Sequence, residues 1–141
     1  MKTVALALAF LLVNFLSQAQ AQNADGADIT VTIDNVLNDN GKVMVSLHTT
    51  DTFMKGPAVQ NLESTIENGK VTLTFENVAP GTYAIMALHD ENANNRMDYQ
   101  SNGMPKESYG MSGNEMSFGP PNFVDAKFEV AAEDLDFNIR F

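Results

Sequence analysis

Leu62-Glu63-Ser64-Thr65-Ile66-Glu67-Asn68-Gly69-Lys70-Val71-Thr72-Leu73-Thr74-Phe75 is the stretch that decides the fold class. Leu62, Ser64 and Ile66 lead into Asn68-Gly69, and Val71, Leu73 and Phe75 then alternate with Thr72 and Thr74. A period of two is the signature of a strand with one buried face. Asn-Gly tolerates the positive φ values of a tight two-residue turn, so the stretch is expected to form a β-hairpin.

The same period extends in both directions. Upstream, Ile29, Val31 and Ile33 alternate with polar residues, as do Val43, Val45 and Leu47, with Asn40-Gly41 as a turn signal between the runs. Downstream, Pro80-Gly81 suits a type II turn, with glycine at the positive-φ position. Tyr83 to Leu88 is apolar on both faces, as in a mid-sheet strand. Val124, Ala126, Phe128 and Val130 form another alternating run, and Leu135, Phe137, Ile139 and Phe141 the last. About seven short strands separated by turns predict an all-β domain, a single antiparallel β-sandwich of immunoglobulin-like or transthyretin-like type.

The domain is expected to span residues 28–141, after a leader at 1–21 and a polar lead at 22–27. Lys2 precedes an unbroken apolar run from Val4 to Val13, and Ala19-Gln20-Ala21 closes the segment. A charged start, a short apolar core and a small-x-small end form a cleavable secretory signal. The run is shorter than the roughly 20 apolar residues that a membrane span requires. The expected location is therefore the periplasm or the exterior, with no membrane span. No cysteine occurs in the 141 residues, so neither a disulfide nor a lipid anchor at the junction is available. Eight basic against 18 acidic residues give a formal net charge of −10, which repels nucleic acid and attracts cations.

Residues 89–122 follow neither period. They are rich in Asn, Gly, Met, Ser and Pro, and a loop of this length in a small domain points to function or metal ordering. Within it, Asp90, Asn92, Asn94 and Asp98 stand at positions 1, 3, 5 and 9 of a calcium-loop spacing, with Arg96 offering its carbonyl at position 7. Asn95, at position 6, tolerates a left-handed backbone. Ser101 replaces the bidentate glutamate of an EF-hand, so Glu91, Glu107 or water would complete the shell. The competing reading is an Asx-rich turn whose side chains cap their own backbone.

Two further signals lie in the loop. Met97, Met104, Met111 and Met116 offer soft thioethers that suit Cu(I), although methionine more often fills irregular gaps. Gly119-Pro120-Pro121-Asn122-Phe123 stiffens the chain before a strand, with Phe123 as an anchor, or else forms a contact surface for a partner. His89 and Asp90 are neighbours on a strand end, so their side chains point apart, which disfavours a catalytic pair.

These residues together resemble domain-of-unknown-function family 2141, a family of small exported bacterial proteins. The carriers are Pro80-Gly81-Thr82-Tyr83-Ala84, then His89-Asp90-Glu91-Asn92 with Asn94 and Asp98. Gly103-x-Pro105-Lys106-Glu107-x-Tyr109-Gly110-x-Ser112 and Gly119-Pro120-Pro121-x-Phe123-x-Asp125-Ala126-x-Phe128 complete them. The family's usual pattern places glycines around the loop asparagine where this chain has Ala93 and Asn95. The Pro80-Gly81-Thr82-Tyr83 entry to a strand is also similar to transthyretin-like and carboxypeptidase-regulatory-like sandwiches, which supports the fold by analogy, and the family resemblance implies no established activity.

The expected function is that of an exported, non-enzymatic binding or accessory module. Its loop would be ordered around Ca²⁺ through Asp90, Asn92, Asn94, Arg96 and Asp98, and its partner would be a protein or a glycan. One alternative is a metal-free structural or interaction module, its loop held by Tyr109, Phe118, Phe123 and the methionines. Another is a small metal-dependent hydrolase using His89, Asp90 and Glu107.

Overall fold

A computed structural model describes residues 26–115 and 119–141; the leader, Met116 and Phe118 lie outside them. Among these described residues, eight strands and one short helix follow one another: β1 Ala27–Ile33, β2 Lys42–His48, β3 Gln60–Ser64, β4 Val71–Val78, β5 Gly81–Asp90, β6 Tyr109–Met111, α1 Phe123–Ala126, β7 Phe128–Val130 and β8 Leu135–Asn138. β1 opens at Ala27, inside the stretch read as a lead. A three-stranded sheet runs β4-β1-β8 and a five-stranded sheet runs β3-β2-β5-β6, with β7 pairing the start of β5. This is the all-β sandwich that the alternating pattern predicts.

The core lies between the sheets. Ile29, Val31 and Ile33 of β1 face Val43, Val45 and Leu47 of β2, all fully buried, with Phe75 and Ile85 beside them. Alternation works because each strand turns every second side chain inward. Fully burying one such side chain is worth about 1.5–3 kcal/mol.

The pairing differs from expectation in four places. The Asn68-Gly69 turn forms, with φ values of 53° and 70°, and Glu67 and Lys70 exchange both backbone hydrogen bonds at 3.1 Å. Its arms are not a hairpin, however: β3 pairs with β2, and β4 pairs with β1. The Asp39 carboxylate accepts from the N–H groups of Asn68 and Gly69, tying the turn to the β1–β2 connection. Ile66, buried in the core, closes the gap between the two sheets.

The sandwich is also not wholly antiparallel, because β8 lies parallel to β1, Val31 opposite Phe137. Third, residues 123–126 are helical rather than extended. Asn122 caps that turn by accepting from Val124 N at 3.0 Å, and the strand begins only at Phe128. Local side-chain capping overrides alternation there.

Fourth, Gly81 does not take the positive φ of a type II turn. The Tyr83 hydroxyl donates to the Ala79 carbonyl at 3.0 Å, and a Cβ on Gly81 would lie 3.2 Å from the Tyr83 ring. The Pro-Gly-Thr-Tyr sequence therefore builds a tyrosine corner where the chain passes from one sheet to the other.

The outer face of the five-stranded sheet positions the site. One end is covered by a second apolar cluster of Phe53, Ala84, Met111 and Ala126, with Phe123 set edge-on to Phe53 at 5.7 Å. Ser112, also buried, accepts from Ile85 N at 2.9 Å and donates to the Ala126 carbonyl, so it pins α1 to β5. At Gly110 a Cβ would stand 2.3 Å from the Arg140 carbonyl oxygen, so β6 can approach the C-terminal segment only without a side chain. The other end of the face is open.

Candidate functional site

β5 delivers Asp90 to the end of the sheet fully buried, and the chain then turns back on it. Its Oδ1 accepts from Asn94 N at 3.0 Å and its Oδ2 from Asn95 N at 2.7 Å. Ala93 and Asn95 hold left-handed φ values of 56° and 66°, which the tight wrap around one carboxylate demands. Glycine, the residue the sequence resemblance leads one to expect at both positions, would adopt this backbone without the steric cost.

Asn92 and Asn94 both reach Asp98. Their Nδ2 groups donate to its Oδ2 at 2.6 and 2.8 Å. Their Oδ1 atoms accept from Asn94 N and Arg96 N at 3.1 Å, the Asx turns of the competing reading. The structure thus brings Asn92, Asn94 and Asp98 together, with Asp90 behind them. The Arg96 side chain is 77% exposed, with Nε 3.7 Å from Asp98 Oδ1.

Glu107, also buried, closes the loop at its base. Its Oε1 accepts from Glu91 N at 3.1 Å and its Oε2 from Asp98 N at 3.0 Å. Lys42 braces the crown, donating to Asn95 Oδ1 at 2.6 Å and Glu63 at 2.7 Å. Among the described residues, no three His, Cys, Asp or Glu side chains gather into a metal-holding group. A cation here would depend on the two aspartates together with asparagine and backbone oxygens. The Oδ1 atoms of Asn92 and Asn94 and both Asp90 carboxylate oxygens each accept a backbone N–H, which leaves each a second lone pair of the hard-oxygen kind that an ion such as Ca²⁺ takes.

His89, Asp90 and Glu107 do not form an open catalytic group. His89 is fully buried, its Nε2 2.8 Å from the Asn40 carbonyl and its ring stacked on Phe141 at 6.4 Å. Its Nδ1 has no hydrogen-bond partner among the described residues, and the Glu91 carboxylate stands 4.0 Å away. Both carboxylates are engaged by backbone N–H groups, and none of the three residues lines either large cavity.

A groove of about 830 Å³, which no local sequence pattern signals, lies over the open end of the sheet. Met44 and Ser46 of β2 and Met86 and Leu88 of β5 form its floor. Met97, Tyr99, Met104 and Pro105 form one wall, and Met54 and Tyr109 also line it, as do Pro120 and Pro121. Five of the eight methionines of the chain meet there. Met97 and Met104 are legible as loop methionines, whereas Met44 holds the polar phase of its strand and Met86 falls in a run that is apolar on both faces, so neither points to a groove. Met111 lies in the second apolar cluster instead.

Met54 has a φ of 56° and is 59% exposed. A left-handed backbone costs a residue with a side chain about 1–2 kcal/mol. Thr49 to Gly56 forms the turn that imposes it, with Phe53 N donating to the Thr49 carbonyl at 3.0 Å and Gly56 N to Thr52 at 3.1 Å. A smaller cavity of about 470 Å³ continues beyond Tyr109, lined by Arg140, Phe141 and Glu115 among others.

A family model described as an uncharacterised protein conserved in bacteria, DUF2141, matches residues 31–138, and the chain belongs to that family. No curated protein and no solved structure matches the chain.

Proposed function

We propose that this member of the DUF2141 family is an exported, non-enzymatic binding module. The methionine-lined groove is its binding site, and the 90–98 loop, stabilised by Ca²⁺, is the wall of that groove. The observation that carries the reading is their continuity in the chain. Met97 and Tyr99, which line the groove, flank Asp98, on which the amides of Asn92 and Asn94 converge. Whatever fixes Asp98 fixes the lining on either side of it.

Export is supported by the secretory pattern of residues 1–21. A non-enzymatic role is supported by the burial of His89, Asp90 and Glu107, since His89 Nε2 and the carboxylates of Asp90 and Glu107 engage the backbone rather than an open cleft. An apolar lining offers a glycan few hydrogen-bond partners, so the groove argues against that class of partner. A volume in the range of about 300–1,000 Å³ suits a small ligand.

The test of the calcium wall is thermal melting in EDTA and in excess calcium. A ligand at 100 times its dissociation constant stabilises by about 2.7 kcal/mol. Calcium raises the midpoint of the wild type by several degrees, and Asp90→Ala combined with Asp98→Ala abolishes the rise. A wild type that melts identically in both solutions refutes the calcium assignment.

A second reading is favoured by the hydrogen bonds themselves. Asp90 and Glu107 each accept two backbone N–H bonds, which hold the loop as a metal-free wall of the same groove. This reading predicts the identical melting curves.

A further inference from the structure

We infer that the ligand of the groove is a soft monovalent metal ion, Cu(I), bound by thioethers drawn from Met44, Met54, Met86, Met97 and Met104. The inference rests on the groove being the binding site and names what it takes. Four separate segments of the chain supply these methionines: β2, the turn after it, β5 and the long stretch between β5 and β6.

The distribution of methionine is selective. The main core is built from Val, Ile, Leu, Phe, Ala and Tyr and contains no methionine among its buried residues. An apolar groove needs only similar aliphatic residues, yet here sulfur is concentrated in it. Met54 and Met104 are 59% and 58% exposed, so their thioethers are accessible rather than committed to packing. Met54 is held toward the groove on a left-handed backbone.

The rest of the lining narrows the choice of ion. Among the described residues it offers no carboxylate, imidazole or thiol, and its other polar groups are the hydroxyls of Ser46, Tyr99 and Tyr109 and backbone atoms. Neutral thioethers bind soft Cu(I) and give hard ions such as Ca²⁺ and Mg²⁺ little to hold. The net charge of −10 raises the local concentration of any cation. Hard-oxygen donors and soft-sulfur donors are thus sorted onto the loop and the groove it borders, and no electron transfer is involved in filling either.

The test uses Ag(I), an air-stable ion of the same closed-shell softness, titrated in chloride-free buffer into the purified protein labelled with ¹³C at the methionine methyl groups. The groove methyl resonances of Met44, Met54, Met86, Met97 and Met104 shift with saturation at low stoichiometry. Met54→Leu with Met104→Leu lowers Ag(I) affinity at least tenfold. Leucine conserves volume, so folding and binding of the apolar dye Nile red persist in this variant. Equal Ag(I) affinity in wild type and double variant, or shifts that spare the groove methionines, overturns the inference. Nile red uptake without Ag(I) binding refutes Cu(I) and leaves the groove reading standing; failure of both probes removes the two together.

Discussion

Ala93→Gly is predicted to stabilise the protein. Ala93 is exposed and its φ is 56°, so its methyl group contributes no buried surface and sits on a left-handed backbone. Relief of that conformation is worth about 1–2 kcal/mol. The greater freedom of glycine in the unfolded chain returns about 0.4–1 kcal/mol. The net gain is therefore roughly 0.8 kcal/mol, or a rise in Tm of about 3 °C for a domain of this size.

Asn95→Gly supplies the contrast from the same loop. Its φ is 66°, but asparagine bears this backbone more easily, and its Oδ1 accepts from Lys42 Nζ at 2.6 Å. Losing an exposed charge-assisted bond offsets the small conformational gain, so this variant is expected to melt within about 1 °C of the wild type or below it. Urea unfolding with both variants, read by circular dichroism in EDTA, gives the free energies. A destabilised Ala93→Gly, with Cm lowered and m unchanged, would refute the argument, because it would show that residue 93 carries no left-handed strain.

Tyr83→Phe removes the hydroxyl bond to the Ala79 carbonyl of the tyrosine corner and is expected to cost about 0.5–1.5 kcal/mol in chemical denaturation. Gly110→Ala places a Cβ 2.3 Å from the Arg140 carbonyl and is expected to cost at least 1–3 kcal/mol, roughly the price of overpacking, read as a lowered Tm. His48 is held below its ordinary pKa of 6.5 by burial, partly opposed by its hydrogen bond with Thr52. The unfolded chain then binds the proton more readily, so this contribution to stability is fully present above pH 6.5 and is lost as pH falls through the lowered folded value. An NMR titration should place the His48 midpoint below 6.5, and His48→Gln should flatten the stability profile in that window.

Much of the acidic loop was legible because its chemistry is local. The 1-3-5-9 spacing named Asp90, Asn92, Asn94 and Asp98, and the tolerance of asparagine for positive φ named Asn95; each depends on residues within ten positions. The hydrogen bonds of Asn92 and Asn94 to Asp98 follow that spacing directly. Glu107 was named as one group able to complete a calcium shell and as a member of the hydrolase alternative, but not as the base of the loop, because its grip on Glu91 N reaches across 16 residues. Ala93 looked like a departure from the family pattern, and the backbone shows it in the same left-handed conformation as Asn95.

The strands were legible for the same local reason, and their partners were not. Asn68-Gly69 dictates a tight turn, but the sequence near it does not reveal that Asp39 clamps that turn or that Ile66 separates the arms. Likewise, nothing around Leu135 announces that β8 will lie parallel beside β1. Residues 123–126 alternate as a strand would, and the Asn122 cap together with the hold of Ser112 on Ala126 makes them a helical turn.

The sequence by itself determined the class of fold, the positions of most strands, and the acidic loop and its wrap, since periodicity and turn chemistry act between near neighbours. Tertiary structure alone decided which strands share a sheet and which face of β2 and β5 stays open. It also decided that five methionines scattered from residue 44 to residue 104 line one groove. The physical reason is that hydrogen-bonded pairing and side-chain burial are settled between residues tens of positions apart, where a one-residue change of register would turn every groove side chain to the other face.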